Sequence, residues 1–406
     1  MTGNSIPGGP RRRLPLIAIA VLVFVAGAAA AQNARPVVVV GEVQGAAETV
    51  TTLLRSLDLI DETGSWSGGE TVLVQTGDLI DGGENSRAAM DLFMRLQREA
   101  LAAGGRVIVL MGNHEAMNIL GELRDVNFRT YASFAGPDAE VRRTAYYDRY
   151  AAWRSQRASE TGTDFEADEV FRAEWFALHP PGWVEYVEAM RSDGLYGRWL
   201  RSLPLAVEID GILFIHGGIS PEMCGVTLQE INTRAADEIR RFDEDRDRMV
   251  AHGLCLPLCS AREMVEAVTD EITALKAFEA SGRTRDSPRS VRADELQHLQ
   301  QWGSWSILSK YGPLWFNGAS MWDEERQLAE MQQILATSGF ERIVTGQSHG
   351  AEHVIEARFG DRVILASVDL SDNPYEGGGA PAALEISHGD FTVVTLNDRE
   401  VLIDAP

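Results

Sequence analysis

Apolar residues in this chain gather into short runs that end on glycine and polar side chains, and the same grammar recurs five times. Residues 37–40 run into Gly41-Glu42-Val43-Gln44-Gly45, and residues 71–76 into Gly77, Asp78 and Asp81. Residues 107–111 run into Gly112-Asn113-His114-Glu115, and residues 212–215 into His216-Gly217-Gly218. Residues 343–345 run into Gly346-Gln347-Ser348-His349-Gly350. Short continuous apolar runs bounded by glycine predict strands covered on both faces. Two intervening segments carry a helical period. In 45–58, Leu53, Leu54 and Leu57 share a face; in 86–103, Met90, Phe93, Met94 and Leu101 point inward. Strands alternating with helices predict parallel βαβ units, whose ligands sit beyond the carboxyl ends of the strands.

Residues 120–200 break this rhythm. They are rich in Arg, Tyr, Trp, Ala and Glu and carry helical patches at 139–154 and 166–178. This predicts a helical insertion over the site, with Tyr146, Tyr147, Trp153, Trp175 and Trp183 as its own core. Residues 205–209 and 212–215 form a hairpin around Asp210-Gly211. Residues 226–310 are again helical and highly charged, with a solvated run at 243–248. Short strands return at 353–359, 362–368, 383–388 and 391–397, and Gly377 to Gly379 form a loop. The expected class is α/β: a sandwich of two mixed sheets flanked by helices. Strands 37–40, 72–76 and 107–111 should lie side by side in one sheet.

The N-terminus adds an address. Arg11, Arg12 and Arg13 precede an apolar run from 14 to 31 that ends in alanines, the layout of a secretory signal cut near Ala30 or Ala31. Residues 1–31 are then a signal peptide, the mature chain starts near Gln32, and the protein is periplasmic or secreted. The rival is an uncleaved membrane anchor, since the run is close to spanning length. Its alanine-rich second half favours cleavage, and membrane contact is expected only without it. A net charge of −23 argues against nucleic acid as a partner, because phosphate backbones need a basic footprint. An apolar content of 45% provides the core of one domain, 36–406, with insertions at about 120–200 and 226–310. In an oxidising compartment the short loop between Cys255 and Cys259 can close as a disulfide, and Cys224 stands apart.

A structural turn does not need His, Asn and Asp together at successive strand ends. Gly-Asp-Leu-Ile-Asp (77–81), Gly-Asn-His-Glu (112–115) and His-Gly-Gly-Ile-Ser-Pro (216–221) resemble the motifs of the calcineurin-like metallophosphoesterase superfamily. The last of these, with Gly-Pro-Leu-Trp-Phe-Asn-Gly (312–318), is most similar to the bacterial Shewanella-like protein phosphatase branch. The resemblance spans about residues 36–370. It implies a calcineurin-like β-sandwich and one or two divalent ions, Mn, Fe or Zn, which carboxylate, imidazole and amide oxygen suit. Asp78 would bridge, Asn113 and His216 would hold the second ion, and Glu42 and His349 the first. His114 would be the general acid, kept charged by Asp81. The substrate would be a phosphate monoester, on a phosphorylated protein or a small phosphoester, cleaved by metal-activated water.

The departures from the pattern are as informative. Glu42 stands where the family has Asp, Gln44 and Gln347 where it has His, and Gly82 and Asn317 where it has phosphate-holding arginines. Losing both guanidiniums removes bidentate clamps; Arg124, Arg129 and Arg326 are the candidates to replace them. Two readings follow. One is an exported phosphoesterase with an altered metal centre and reduced or redirected activity. The other is a catalytically impaired pseudophosphatase that acts as a binding protein. The ligand set predicts one well-held ion at Asp78, Asn113 and His216, and a second that is weak or absent.

Overall fold

Three valine-rich runs form the parallel part of the first sheet. In the computed structural model, which describes residues 35–280, 297–347, 355–371 and 380–405, these are β1 (Val37–Val40), β2 (Val72–Gln75) and β3 (Arg106–Val109). Val37 pairs with Val72, and Val72 with Arg106. Every residue but Arg106 is buried, as expected of strands covered on both faces. The crossovers are α1 (Ala47–Ser56), which buries Val50, Leu53 and Leu54, and α2 (Ser86–Ala102), which buries Met90, Phe93, Leu96 and Ala100. Leu57 and Met94 are half-buried. Leu101, expected inward, is 74% exposed. At about 100° per residue it falls one step past the stripe that ends on Ala100.

The chain then climbs from β3 into α3 (Asn113–Ile119) and the first insertion: α4 (Phe128–Phe134), α5 (Ala139–Thr161), α6 (Glu169–Leu178), α7 (Trp183–Met190) and α8 (Leu195–Leu200). Tyr146, Tyr147, Trp175 and Trp183 are its buried core, with ring centroids 5.3 Å apart for Tyr147 and Trp175. Trp153 is half-buried and donates from Nε1 to Gly253 O at 3.1 Å. The aromatics therefore pack the insertion, as the sequence predicts.

The second sheet begins with the expected hairpin, β4 (Ala206–Ile209) and β5 (Ile212–Ile215), turning through Asp210 (φ 51°) and Gly211 (φ 80°). Successive positive φ values match the twist of the flanking strands. Helices α9 (Leu228–Ala251), α10 (Ala261–Ala280), α11 (Gly318–Met321) and α12 (Glu324–Ser338) follow. Strands β6 (Arg342–Thr345), β7 (Glu356–Arg358) and β8 (Val363–Leu365) complete the order β4-β5-β6-β8-β7. Finally β9 (Ala382–Ser387), β10 (Asp390–Thr395) and β11 (Arg399–Ile403) add antiparallel strands to the first sheet, ordered β11-β10-β9-β1-β2-β3. Both sheets are mixed, as expected. Strand β11 was not anticipated; it is a largely exposed edge whose apolar residues 401–403 bury only Ile403.

Cys255 and Cys259 lie in the α9–α10 connection as adjacent buried free thiols, 2.7 Å apart at sulfur, with Cys224 exposed elsewhere. Residues 1–31, where a signal peptide is expected, His349 and Gly377 to Gly379 lie outside the described residues. Among the described residues no helix is long and apolar enough to cross a membrane.

Candidate metal centre and acid

The five predicted strand ends meet. Strand β1 delivers Glu42 and Gln44, β2 Asp78, β3 Asn113, β5 His216 and β6 Gln347, and all six side chains are buried. Ligand atoms of Glu42, Asp78 and His216 lie within 4.8 Å of one another. His216 Nε2 is 3.2 Å from Asp78 Oδ2 and 2.8 Å from Asn113 Oδ1. The opposite ring nitrogen, Nδ1, is 3.0 Å from Thr76 O. A carbonyl only accepts, so Nδ1 carries a proton. In a neutral imidazole, Nε2 then presents a lone pair toward two oxygens that also only accept. Three converging acceptors fit a bound cation, and imidazole, carboxylate and amide oxygen are ligands for Mn, Fe or Zn. Gln347 Nε2 reaches Asn113 Oδ1 at 3.4 Å, on the same side of the site.

Without a cation, protons do this work. Burial lowers the His216 pKa, but Asp78 outweighs it and raises the imidazole to about 9. Burial and then Asp78 push Glu42 up to about 8. Burial also pushes Asp78 up, yet His216 and His114 together hold it at about 2. Stability from a raised pKa is present at low pH and lost as pH climbs through the folded value. For Glu42 that window runs from 4.5 to about 8, and for His216 from 6.5 to about 9. The chelated protein is therefore expected to lose on the order of a few kcal/mol between pH 5 and pH 9. Added Mn2+ needs both groups deprotonated, so it stabilises most at high pH. Melting temperatures with EDTA and with Mn2+ across this range check it. A gap that stays constant or narrows toward pH 9 would contradict the assignment.

Beside these ligands, His114 Nδ1 is 3.0 Å from Asp81 Oδ2, and its Nε2 is 3.9 Å from Asp78 Oδ2. Burial lowers the His114 pKa, but Asp78 and the bond to Asp81 raise it well above the usual value. Burial pushes Asp81 up, against His114, whose bond and charge pull it down. Two residues absent from the sequence reading complete the arrangement. Asn118 Nδ2 donates to Asp81 Oδ2 at 2.7 Å, and Tyr186 Oη donates to Asn118 Oδ1 at 2.5 Å. Asn118 follows His114 by one helical turn on α3, a spacing visible in the sequence. Tyr186 comes from α7, so the insertion reaches the acid.

The loops are strapped by Glu115. Its buried carboxylate accepts from the backbone N–H groups of Asp78 (2.9 Å), Leu79 (2.9 Å), Ile80 (3.3 Å) and Gly112 (2.8 Å). Gly112 must lack a side chain, because a Cβ there would lie 2.1 Å from Asp78 Oδ1. Gln44 (φ 44°), Asp78 (φ 53°) and Asp81 (φ 73°) all occupy the left-handed region, where non-glycine residues are sparse and strain gathers at functional sites.

The substituted positions are coupled. Gln44 Nε2 turns to Glu42 Oε2 at 3.4 Å. A Cβ at Gly82 (φ 62°) would then lie 2.6 Å from Gln44 Oε1. Gly82 is also held by the segment after α3: its N–H donates to Asp125 O (3.3 Å) and its carbonyl accepts from Asn127 Nδ2 (3.2 Å). Arg124 belongs to that segment, next to Asp125 in the chain. Arg124 is 60% exposed and its Nε is 3.2 Å from Asp125 Oδ2. Arg129 pairs with Glu84 at 2.6 Å. Arg326 lies in the first turn of α12, its N–H capped by Asp323. Asn317 precedes α11 in a segment packed on the His216 loop, where Gly217 N–H donates to Pro313 O at 3.0 Å.

The comparisons with known proteins agree with this geometry. Residues 35–350 match the family model of the calcineurin-like phosphoesterases. The chain is 26% identical over 203 residues to Shewanella-like protein phosphatase 1 of Plasmodium berghei (strain Anka), covering 50% of this chain and 44% of that protein. It is 28% identical over 219 residues to Shewanella-like protein phosphatase 2 of Arabidopsis thaliana, covering 52% and 53%. The chain thus spans about half the length of the curated relatives it matches. The crystal structure of a cold-active protein-tyrosine phosphatase of a psychrophile Shewanella sp. aligns with a TM-score of 0.56 at 23% identity, over 91% of this chain and 81% of that one, a likeness of fold. The resemblance read from the motifs holds for the superfamily and for the branch. With the match running through all five strand ends, the chain belongs to the calcineurin-like phosphoesterase family.

Proposed function

We propose that this protein is an exported, metal-dependent phosphatase that hydrolyses phosphate monoesters, on phosphoproteins or small phosphoesters, with water as the nucleophile. The observation that carries this reading is the convergence of Asp78, Asn113, His216 and Glu42 next to a histidine bonded to the Asp81 carboxylate. A divalent ion, Mn, Fe or Zn, would be held by Asp78, Asn113 and His216 and, when bound, supplies Lewis acidity toward a phosphoryl oxygen and lowers the pKa of water. The chain's own groups do the rest. Asp81, Asn118 and Tyr186 fix the His114 ring so that Nε2 faces the site. From there it can deliver its proton to the departing ester oxygen, which would otherwise leave as an alkoxide. Arg124 serves as the phosphate-holding cation; its exposed pair with Asp125 is worth little and can be exchanged for a ligand.

The names of the relatives, protein phosphatases in each case, favour a phosphoprotein substrate. A second reading, a binding protein without turnover, draws on the crowding of Gly82 by Gln44, which closes the place of one family arginine.

One preparation tests both. The exported protein, expected to begin near Gln32, is stripped with chelator and assayed on p-nitrophenyl phosphate and phosphopeptides with Mn2+, Fe2+ or Zn2+. Turnover restored by metal supports the enzyme, and Arg124→Ala should then raise KM by about tenfold, the loss of roughly one charge-assisted contact. Bound metal with no turnover on any substrate would favour the binding protein. An intact N-terminus on protein recovered from the cytosol would rule out export.

A further inference from the structure

We propose that Asp369, paired with Glu42, is a carboxylate ligand for a second divalent cation, in place of the imidazole that position 44 lacks. This rests on the metal-dependent reading above. Three observations support it.

The first is position. The segment after β8 runs against the first loop of the site. A Cβ at Gly41 would lie 2.1 Å from Ala366 O and 2.8 Å from Val368 N. Leu370 N–H donates to Glu42 O at 3.0 Å. Asp369 is thus held alongside Glu42.

The second is an unmet demand. Asp369 is 0% exposed. Its Oδ1 accepts from Ser371 N–H at 2.7 Å, while Oδ2 has no hydrogen-bond partner among the described residues. A buried carboxylate oxygen left without a partner is costly, and its usual remedies are a proton or a cation. Ser367 Oγ and Ser371 Oγ on the same segment are buried and without partners in the same sense. Carboxylate and hydroxyl oxygens suit a hard cation such as Mn2+ or Mg2+.

The third is the chemistry of the departures. Gln44 spends its amide N–H on Glu42 and turns Oε1 toward Gly82, so it brings no imidazole and no charge to this end of the site. Asp369 lies outside the close group of Glu42, Asp78 and His216. It adds a ligand where the sequence pattern shows only Glu42, Gln44 and His349, and so replaces the expectation that the second ion is weak or absent.

The test is metal stoichiometry, read independently of turnover. The whole exported protein is dialysed to equilibrium against Mn2+ and the ions per chain are counted, with Mn2+ electron paramagnetic resonance reporting a coupled pair. The unmodified protein is expected to take up two ions and show coupling. Asp369→Asn, close to isosteric, should keep one ion at unchanged affinity, weaken the other by at least about tenfold and lose the coupled signal. Asp369→Ala carries the same expectation should the asparagine variant fail to fold. Two ions at unmodified affinity in a folded variant would overturn the proposal. One ion in the unmodified protein would also overturn it while leaving the metal-dependent reading intact. No ion at all would overturn both.

Discussion

Asp78→Asn is expected to lower turnover by at least about a thousandfold, because a metal's charge stabilisation is worth several kcal/mol and each 1.4 kcal/mol is tenfold. The substitution keeps the shape of the side chain and removes its charge. That charge faces His216 Nε2 at 3.2 Å, and Oδ1 accepts the His114 N–H at 3.0 Å. Asparagine can still accept the N–H, so the loop should hold. What goes is the anion that two histidines and an incoming cation share. Metal content per chain should fall together with kcat, and the protein should remain folded by circular dichroism. A variant that kept its metal and stayed within tenfold of the original rate would show that Asp78 is not the centre of the site.

His114→Asn should separate from this cleanly. Loss of a general acid costs about 10²- to 10⁴-fold in rate. The ring lies 3.9 Å from Asp78 through Nε2 and is bound to Asp81 through Nδ1, so its removal should leave metal content unchanged. The loss should also depend on the leaving group. p-Nitrophenolate departs with little help, whereas the alkoxide of a phosphoserine peptide needs a proton. The drop should therefore be largest on the peptide and smallest on p-nitrophenyl phosphate. Equal losses on both would assign His114 to phosphate binding instead.

Much of this site could be read from the chain because each ligand follows its own strand directly. An apolar run, a glycine and a polar residue are neighbours in sequence, so β1, β2, β3, β5 and β6 announce what they carry. Pairings between distant positions leave no such trace. Tyr186 reaches Asn118 across 68 residues, and nothing in either segment marks the partner. Asp369 sits behind a short strand in a stretch without a family-like motif, and only burial sets it apart. Leu101 fails for a local reason. Ala100 and Leu101 are adjacent apolar residues at the end of α2, and only Ala100 is buried. Ala100 continues the phase set by Phe93 and Leu96. The β11 edge escaped because it is short and only Ile403 of its apolar residues is buried, Val401 being 53% exposed, so its residues do not alternate between a buried and a solvent face.

The contact between Gln44 and Gly82 bears on how such a site changes over generations. An arginine placed at 82 alone would begin its side chain 2.6 Å from the Gln44 amide oxygen, on a backbone at φ 62°. A histidine placed at 44 alone would vacate that space but give up the amide's hold on Glu42, and still lack the guanidinium. Neither single step gives the histidine and arginine of the family pattern together, so the effects of the two positions are coupled through this contact. Relatives that carry glutamine at the first position should therefore tend to carry glycine at the second, and libraries meant to install the family's histidine and arginine should vary both codons at once.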